Sequence, residues 1–514
     1  MAMTRGRGYN FHGEYPYQSA YMEDRAMRKK MVCFAVLFFF ICATGTAAEE
    51  IAGLSLHIEK LAPKVVRIWV GDYVSSTATT AIGTSRGIVV IDTLGCPKID
   101  AELRRVIARE LDRDDFRYLI NTHGHGDHTQ GNSVYADCII VAHELVPGNM
   151  KESFEGRKEA IQWYEQRLPE LRKELEKKKS GDPGRAAMKE RLASDTIQYE
   201  VLKSDVMPAL PGLTFSDRMG LDLGDAMLEL YYTGGMHSPG DIAIFDSRDG
   251  LLFTGDTMAD VWLNETPGCL ASFVARHGVR HDFPLLLKNW ELLLERKQGI
   301  KRLVTGHWNG ELSMKGFEER VAYVKTLWDE TNRSCAGEGT LRDLLAACDM
   351  KSRFPGLADS PGFSPYNNYS TIVEMWAEVT GQQQGAMKLY ELIDAGAGSE
   401  AIEAVMAEKD AAKPKYFFLE EQVNACGYRF VQDNKLDKAI AIFRLNVRLY
   451  PQGWNTYDSL AETILKTGDV KMAKELYEKS LQLNPESRSG KDALERIKKG
   501  KWKVKKQPPP PPPA

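Results

Sequence analysis

At 514 residues the chain is too long for one ordinary domain and has room for two or three. Hydrophobic residues at 43% and charged residues at 27% exclude a largely disordered polymer. A formal net charge of −4 excludes a broad affinity for nucleic acid or anionic membrane built on surplus cations.

Residues 1–26 show no apolar periodicity. Met27-Arg28-Lys29-Lys30 is basic, Met31 to Thr44 is almost wholly apolar, and Gly45-Thr46-Ala47-Ala48 is small. These are the three parts of a secretory signal, so 1–48 reads as leader and signal peptide, with translation starting at Met27. The mature chain is then expected to begin near residue 49 and to be periplasmic or secreted. If the signal stays uncleaved, residues 31–47 anchor it in a membrane, although that apolar core is short for a full span. Eight cysteines, at 33, 42, 96, 138, 269, 335, 348 and 426, form no CxxC pair and no zinc-finger spacing. Beyond the signal, Cys335 with Cys348 is the one pair close in sequence. A disulfide there is one reading and isolated buried thiols are the default.

Strands are expected at Val65–Val70, Thr77–Gly83 and Gly87–Asp92, then a helix over Lys98–Leu111 and a buried strand at Phe116–Ile120. That strand runs into Asn121-Thr122-His123-Gly124-His125-Gly126-Asp127-His128. Three histidines and a carboxylate thus fall within six residues, and Gly124 and Gly126 leave the backbone free to turn so that they converge. Imidazole suits zinc, and Asp127 adds a harder oxygen ligand, so these residue types in this pattern point to a metal site.

A strand at 136–143 follows, then an insertion at 150–205. There Glu159 to Lys179 and Arg185 to Leu202 read as two helices around the turn Ser180-Gly181-Asp182-Pro183-Gly184. The hairpin is either a solvated decoration or a lid over a substrate pocket. Three further stretches share one device, an apolar or alternating run ending in glycine and a metal-ligating side chain. His237 follows Met227-Leu228-Glu229-Leu230-Tyr231, Asp256 ends Leu251-Leu252-Phe253-Thr254-Gly255, and His307 ends Leu303-Val304-Thr305-Gly306. Trp262, His277 and His281 lie after Asp256 and are candidates for a pocket wall or for ordinary packing. Helices are expected through 285–292 and at Lys315–Thr331.

The Pro-, Gly- and Ser-rich stretch at 354–368 belongs to a linker at 336–368, followed by helices at 369–419. Ala439 and Ala473, Phe443 and Tyr477, Pro451 and Pro485, and Gly427 and Ala461 are then each 34 positions apart. Residues 500–514 are basic and then polyproline, an extended end.

His-x-His-x-Asp-His, followed in order by His237, Asp256 and His307, resembles the signature of metallo-β-lactamase-fold hydrolases over roughly residues 60–325. The 34-residue period resembles tetratricopeptide repeats, with units at about 420–453 and 454–487 in a domain reaching 499 and the helices at 369–419 as a cap. The fold class implied is an αββα sandwich, residues 49–335, followed by an all-α repeat domain. The resemblance implies two metal ions per chain. His123, His125 and His237 would hold one, Asp127, His128 and His307 the other, and Asp256 would bridge them. Asp127 would also act in catalysis by orienting the attacking hydroxide, and Asp92 would support the metal loop from behind. Asp92 could instead cap the helix after it. With no cysteine among the ligands zinc is the expected metal, iron or manganese staying open.

Flavodiiron oxygen reductases carry an acidic residue where His125 stands, and true metallo-β-lactamases generally lack the bridging Asp. The chain therefore looks more like the glyoxalase II, lactonase and quinoprotein-relay zinc metallohydrolase branch. The function expected is an exported binuclear zinc hydrolase of a small-molecule ester, thioester, lactone or similar bond. β-Lactam or alkyl or aryl sulfate hydrolysis is an alternative. So is an interaction protein working through its repeats, with the metal domain structural. A protein partner or self-association through 420–487 is expected, and no nucleic acid.

Overall fold

The computed structural model describes residues 49–71, 77–182, 184–235, 237–257, 281–307, 313–337, 339–348, 353–355 and 365–500. The expected signal segment, the proline-rich tail, Trp262 and His277 lie outside these residues.

Apolar runs such as Gly87-Ile88-Val89-Val90-Ile91 are buried along their whole length, which requires cover on both faces of a sheet. Eight strands in sequential order make the first sheet. They are β1 (Glu50–Ile51), β2 (Leu54–Ala62), β3 (Val65–Val70), β4 (Thr79–Thr84), β5 (Gly87–Ile91), β6 (Phe116–Ile120), β7 (Ile139–His143) and β8 (Leu213–Phe215). Pairing is antiparallel as far as β5 and parallel from β5 to β8. The second sheet comprises β9 (Arg218–Asp222), β10 (Met227–Tyr232), β11 (Ile242–Asp246), β12 (Leu251–Gly255) and β13 (Arg302–Thr305), with only β12–β13 parallel.

Alternate residues of each strand sort between the layers. Val89 and Ile91 join Leu228, Leu230, Ile244 and Phe253 in the core between the sheets. Ile88 and Val90 face outward, onto Leu103 and Ile107 of α1 (Pro97–Leu111). On the far side, Phe245, Leu252 and Leu303 pack against Leu286 and Trp290 of α5 (Phe283–Glu295) and Val324 and Leu327 of α6 (Met314–Ala336). The layers run helix, sheet, sheet, helix.

The insertion is a hairpin of α3 (Val146–Lys177) and α4 (Gly184–Lys203); α2 is the single turn Gly126–Thr129. Helix α3 starts 13 residues before the expected position. Pro147 sits in its first turn, where the missing N–H costs nothing, and the helix continues through Pro169. Ala193, Ile197 and Val201 of α4 pack on the α1 layer, so the hairpin is partly buried against the domain.

The stretch expected as a linker also contains structure. Helix α7 (Leu341–Ala347) carries a capping box between Thr340 and Asp343, and buries Leu341, Leu344 and Cys348 in the outer helical layer. Cys335 and Cys348 are free thiols. Helix α8 (Pro365–Thr380) contributes Ile372, Val373 and Met375 to the same core. After it come β14 (Gln383–Gln384), α9 (Gly385–Asp394), α10 (Ser399–Ala407) and β15 (Tyr416–Phe417). Two helix pairs follow, α11 (Glu420–Gln432) with α12 (Leu436–Leu449) and α13 (Trp454–Thr467) with α14 (Val470–Leu483), and α15 (Arg488–Lys498) closes the series. Each helix of the second pair starts 34 positions after its counterpart. None of the described helices is long and apolar enough to cross a membrane.

A β-carbon at Gly427 would lie 2.3 Å from the Phe443 ring, so these helices cross only because one residue lacks a side chain. Gly427→Ala is expected to destabilise the helical region by about 1–3 kcal/mol, read from urea unfolding. Burial raises the Asp458 carboxyl to about 6. The unfolded chain ionises first, so the cost of burying this group grows from about pH 4 to 6 and is constant above. Asp458→Asn keeps the acceptor that Ser489 Oγ uses. The stability of the variant relative to the parent is expected to rise across that window; a difference flat with pH contradicts it.

Candidate metal centre

The seam between the two sheets collects the ends of β5, β6, β10, β12 and β13. From the first sheet, β6 delivers His123, His125, Asp127 and His128. From the second, the loop after β10 delivers His237, β12 delivers Asp256 and β13 delivers His307. The structure brings all seven together in three overlapping groups whose ligand atoms lie within 4.8 Å of one another. These are His123–His125–His237, His123–His128–Asp256 and Asp127–His128–His307.

Asp256 Oδ2 is central, lying 3.0 Å from His307 Nε2, 3.4 Å from His128 Nε2, 3.5 Å from His237 Nε2 and 3.8 Å from His123 Nε2. Asp127 Oδ2 lies 3.5 Å from His128 Nε2 and 3.7 Å from His307 Nε2. Asp127 is the most open of the acidic members, its side chain 34% exposed against 1% for Asp256.

Nε2 of His123, Nε2 of His128 and Oδ1 of Asp256 are buried without a hydrogen-bond partner. Three such orphans in one place would be costly in a site built only for packing. They are what a site for cations requires, and the all-nitrogen-and-oxygen donor set fits a divalent ion of zinc type. Burial, reinforced by the neighbouring histidines, holds His123 well below the ordinary imidazole range and His125 at about 3, so both rings are neutral at pH 7. Burial opposes ionisation of Asp256, yet His307 and His128 hold its carboxyl well below the usual range.

Each ligand loop has its own anchor. Asp92 lies just past β5 with φ 57°; it accepts from Thr122 N–H and Oγ1, each at 2.7 Å, and lies 3.0 Å from His128 Nδ1. It does not cap α1, whose N-cap is Cys96. Asp241 accepts from the backbone of His237 and from the backbone and hydroxyl of Ser238. Thr77 Oγ1 donates to Asp127 Oδ2 at 3.1 Å. Arg67, 2% exposed, donates to the carbonyls of Thr305 and His307.

Sequence reasoning did not single out Asp241, Thr77 or Arg67. A lone arginine in the apolar strand Val65-Val66-Arg67-Ile68-Trp69-Val70 was the available signal. His281 is buried beside Phe283, and burial pushes its imidazole down to about 4.

Helix α3 approaches the metal loop, and α4 approaches the turn after β5. A β-carbon on Gly124 would meet Asn149 Oδ1 of α3 at 2.3 Å, and one on Gly95 would meet Gln198 Nε2 of α4 at 3.2 Å.

Residues 72–307 match the model of the metallo-beta-lactamase superfamily, so the chain carries a domain of that superfamily. No curated protein matches the chain. Among solved structures, a metallo-beta-lactamase from Pontibacter korlensis is 16% identical, with TM-score 0.33, over 52% of this chain and 98% of its own. A metallo-beta-lactamase family protein from Thermus thermophilus is 18% identical, with TM-score 0.36, over 63% and 95%. The stereoselective inverting sec-alkylsulfatase Pisa1 from Pseudomonas sp. is 13% identical, with TM-score 0.43, over 86% of this chain and 66% of its own. Likenesses of this degree leave the reading of the site to its own residues.

A β-carbon on Gly306 would fall 2.3 Å from Asp256 Oδ1 and 2.9 Å from His128 Cε1. Gly306→Ala is therefore expected to weaken metal binding by about tenfold or more while far-ultraviolet circular dichroism stays unchanged; metal content after dialysis checks it.

Proposed function

We propose that the chain is a binuclear zinc-dependent hydrolase of a small-molecule ester, thioester, lactone or similar bond. The observation that carries this reading is the convergence of seven histidine and aspartate side chains, with three orphaned polar atoms among them, at the seam of the two sheets. His123, His125 and His237 would hold one ion, Asp127, His128 and His307 the other, with Asp256 between them. Bound divalent ions supply Lewis acidity toward a water and toward the oxygen of the scissile group.

The chain supplies the rest. Asp127, partly open to solvent and fixed by Thr77, is the carboxylate placed to orient an entering water and to hold its proton. Asp92 fixes the imidazole of His128, and Asp241 fixes His237 through its backbone N–H. The basic, apolar and small-residue order of 27–48 supports export of this enzyme. The 34-residue register of the helix pairs supports tetratricopeptide repeats that dock a partner protein or a second copy.

The test is metal content together with hydrolysis of a thioester, a lactone, an aryl sulfate, a phosphodiester and a β-lactam. The parent would be run beside Asp127→Ala and His237→Ala. The expected result is about two zinc ions per chain and one bond class cleaved, with the rate falling by at least about 100-fold in either variant. A folded parent that takes up no zinc contradicts the proposal.

A further inference from the structure

The turn that carries His307 belongs to the second sheet, yet its carbonyls are held by the first. Arg67 Nη2 of β3 donates to Thr305 O at 2.8 Å and to His307 O at 2.7 Å. Between them, Ala78 N–H donates to Gly306 O at 2.9 Å. Three consecutive carbonyls of the ligand turn are thus taken up by donors from the opposite sheet. Thr305 Oγ1 also donates to His307 O, at 2.8 Å. Thr77, next to Ala78, bridges His307 through the backbone and holds Asp127 through its hydroxyl.

The same arginine is tied to the start of β13. Glu59 of β2 lies 3.9 Å from Arg67 and 2.7 Å from Arg302, the first residue of that strand. Arg67 is therefore part of a charged staple that fixes β13 at both ends against the first sheet. The group it serves is Asp127–His128–His307, whereas His237 of the other group is held by Asp241 within its own loop.

We propose that Arg67 is a positioning residue that sets the affinity of one half of the metal centre, the half formed by Asp127, His128 and His307, without touching the metal or the substrate. This rests on the metal-site reading above. Methionine at position 67 would fill much of the same volume and remove the guanidinium donor from two buried carbonyls, of which His307 O keeps the Thr305 hydroxyl. The turn would therefore shift to find others and take His307 with it.

The experiment is a chelator titration of the Co2+-loaded full chain, followed by visible absorption and by metal content. Parent, Arg67→Met, Thr305→Val and His307→Ala are compared. The parent should lose metal in two steps, and His307→Ala identifies the step that belongs to its half-site. Arg67→Met is expected to weaken that step by about 10–100-fold and leave the other within about threefold. Thr305→Val removes one donor to the same carbonyl and should shift the same step by less. A merely structural role would lower both steps together or leave both unchanged. Either result in folded Arg67→Met overturns the proposal, and if that variant does not fold, either result in Thr305→Val does so. A parent that binds no metal overturns the metal-site reading, and this inference with it; a two-step parent with unselective variants overturns this inference alone.

Discussion

Seven histidine and aspartate side chains from two separate sheets meet within a few ångströms in a buried seam, and the architecture around that seam holds them there. Carboxylates and imidazoles packed so close lose their hydration and leave lone pairs unmatched unless a cation joins them. Asp256 sits within 3.8 Å of four imidazoles, and its second oxygen has no partner at all. Such a cluster persists before metal arrives only if the backbone beneath it cannot relax.

The rigidity comes from buried charges spent on backbone groups. Asp92 fixes the turn after β6, Asp241 fixes the loop after β10, and Arg67 fixes the turn after β13. In each case a charged side chain satisfies one or two backbone N–H or C=O groups of a loop, which strengthens the hydrogen bonds and removes the loop's alternatives. Glycines complete the arrangement. Gly306 and Gly255 lie where a β-carbon would strike His128 and Thr122, so the second sheet's turns approach the first sheet closely only because these positions are bare.

Much of this was legible in the chain. The seven candidate ligand positions carry their own signal, because histidines and aspartates gather in short glycine-containing stretches that follow strand-like runs. The strands at 65–70 and 87–91 are β-branched runs, and that at 116–120 a mostly apolar one, all too short for helices, and the structure forms them there. The anchors were harder to see. Asp241 and Thr77 are common residue types in common loop contexts, and their roles depend on which backbone groups the fold delivers to them. Helix α3 was hidden at its start by Pro147, Gly148 and Gly156, residues that weaken any helical pattern, although packing on the domain outweighs their propensity. Helix α7 is seven residues long and is held by its cap and by Leu341 and Leu344 in a core that the local sequence does not announce.

The most direct measurement is anomalous diffraction at the zinc edge from crystals of the protein grown with zinc. Two peaks in the seam, one among His123, His125 and His237 and one among Asp127, His128 and His307, with Asp256 between them, are the predicted result. Density at full occupancy for the protein with no peak in the seam would contradict it.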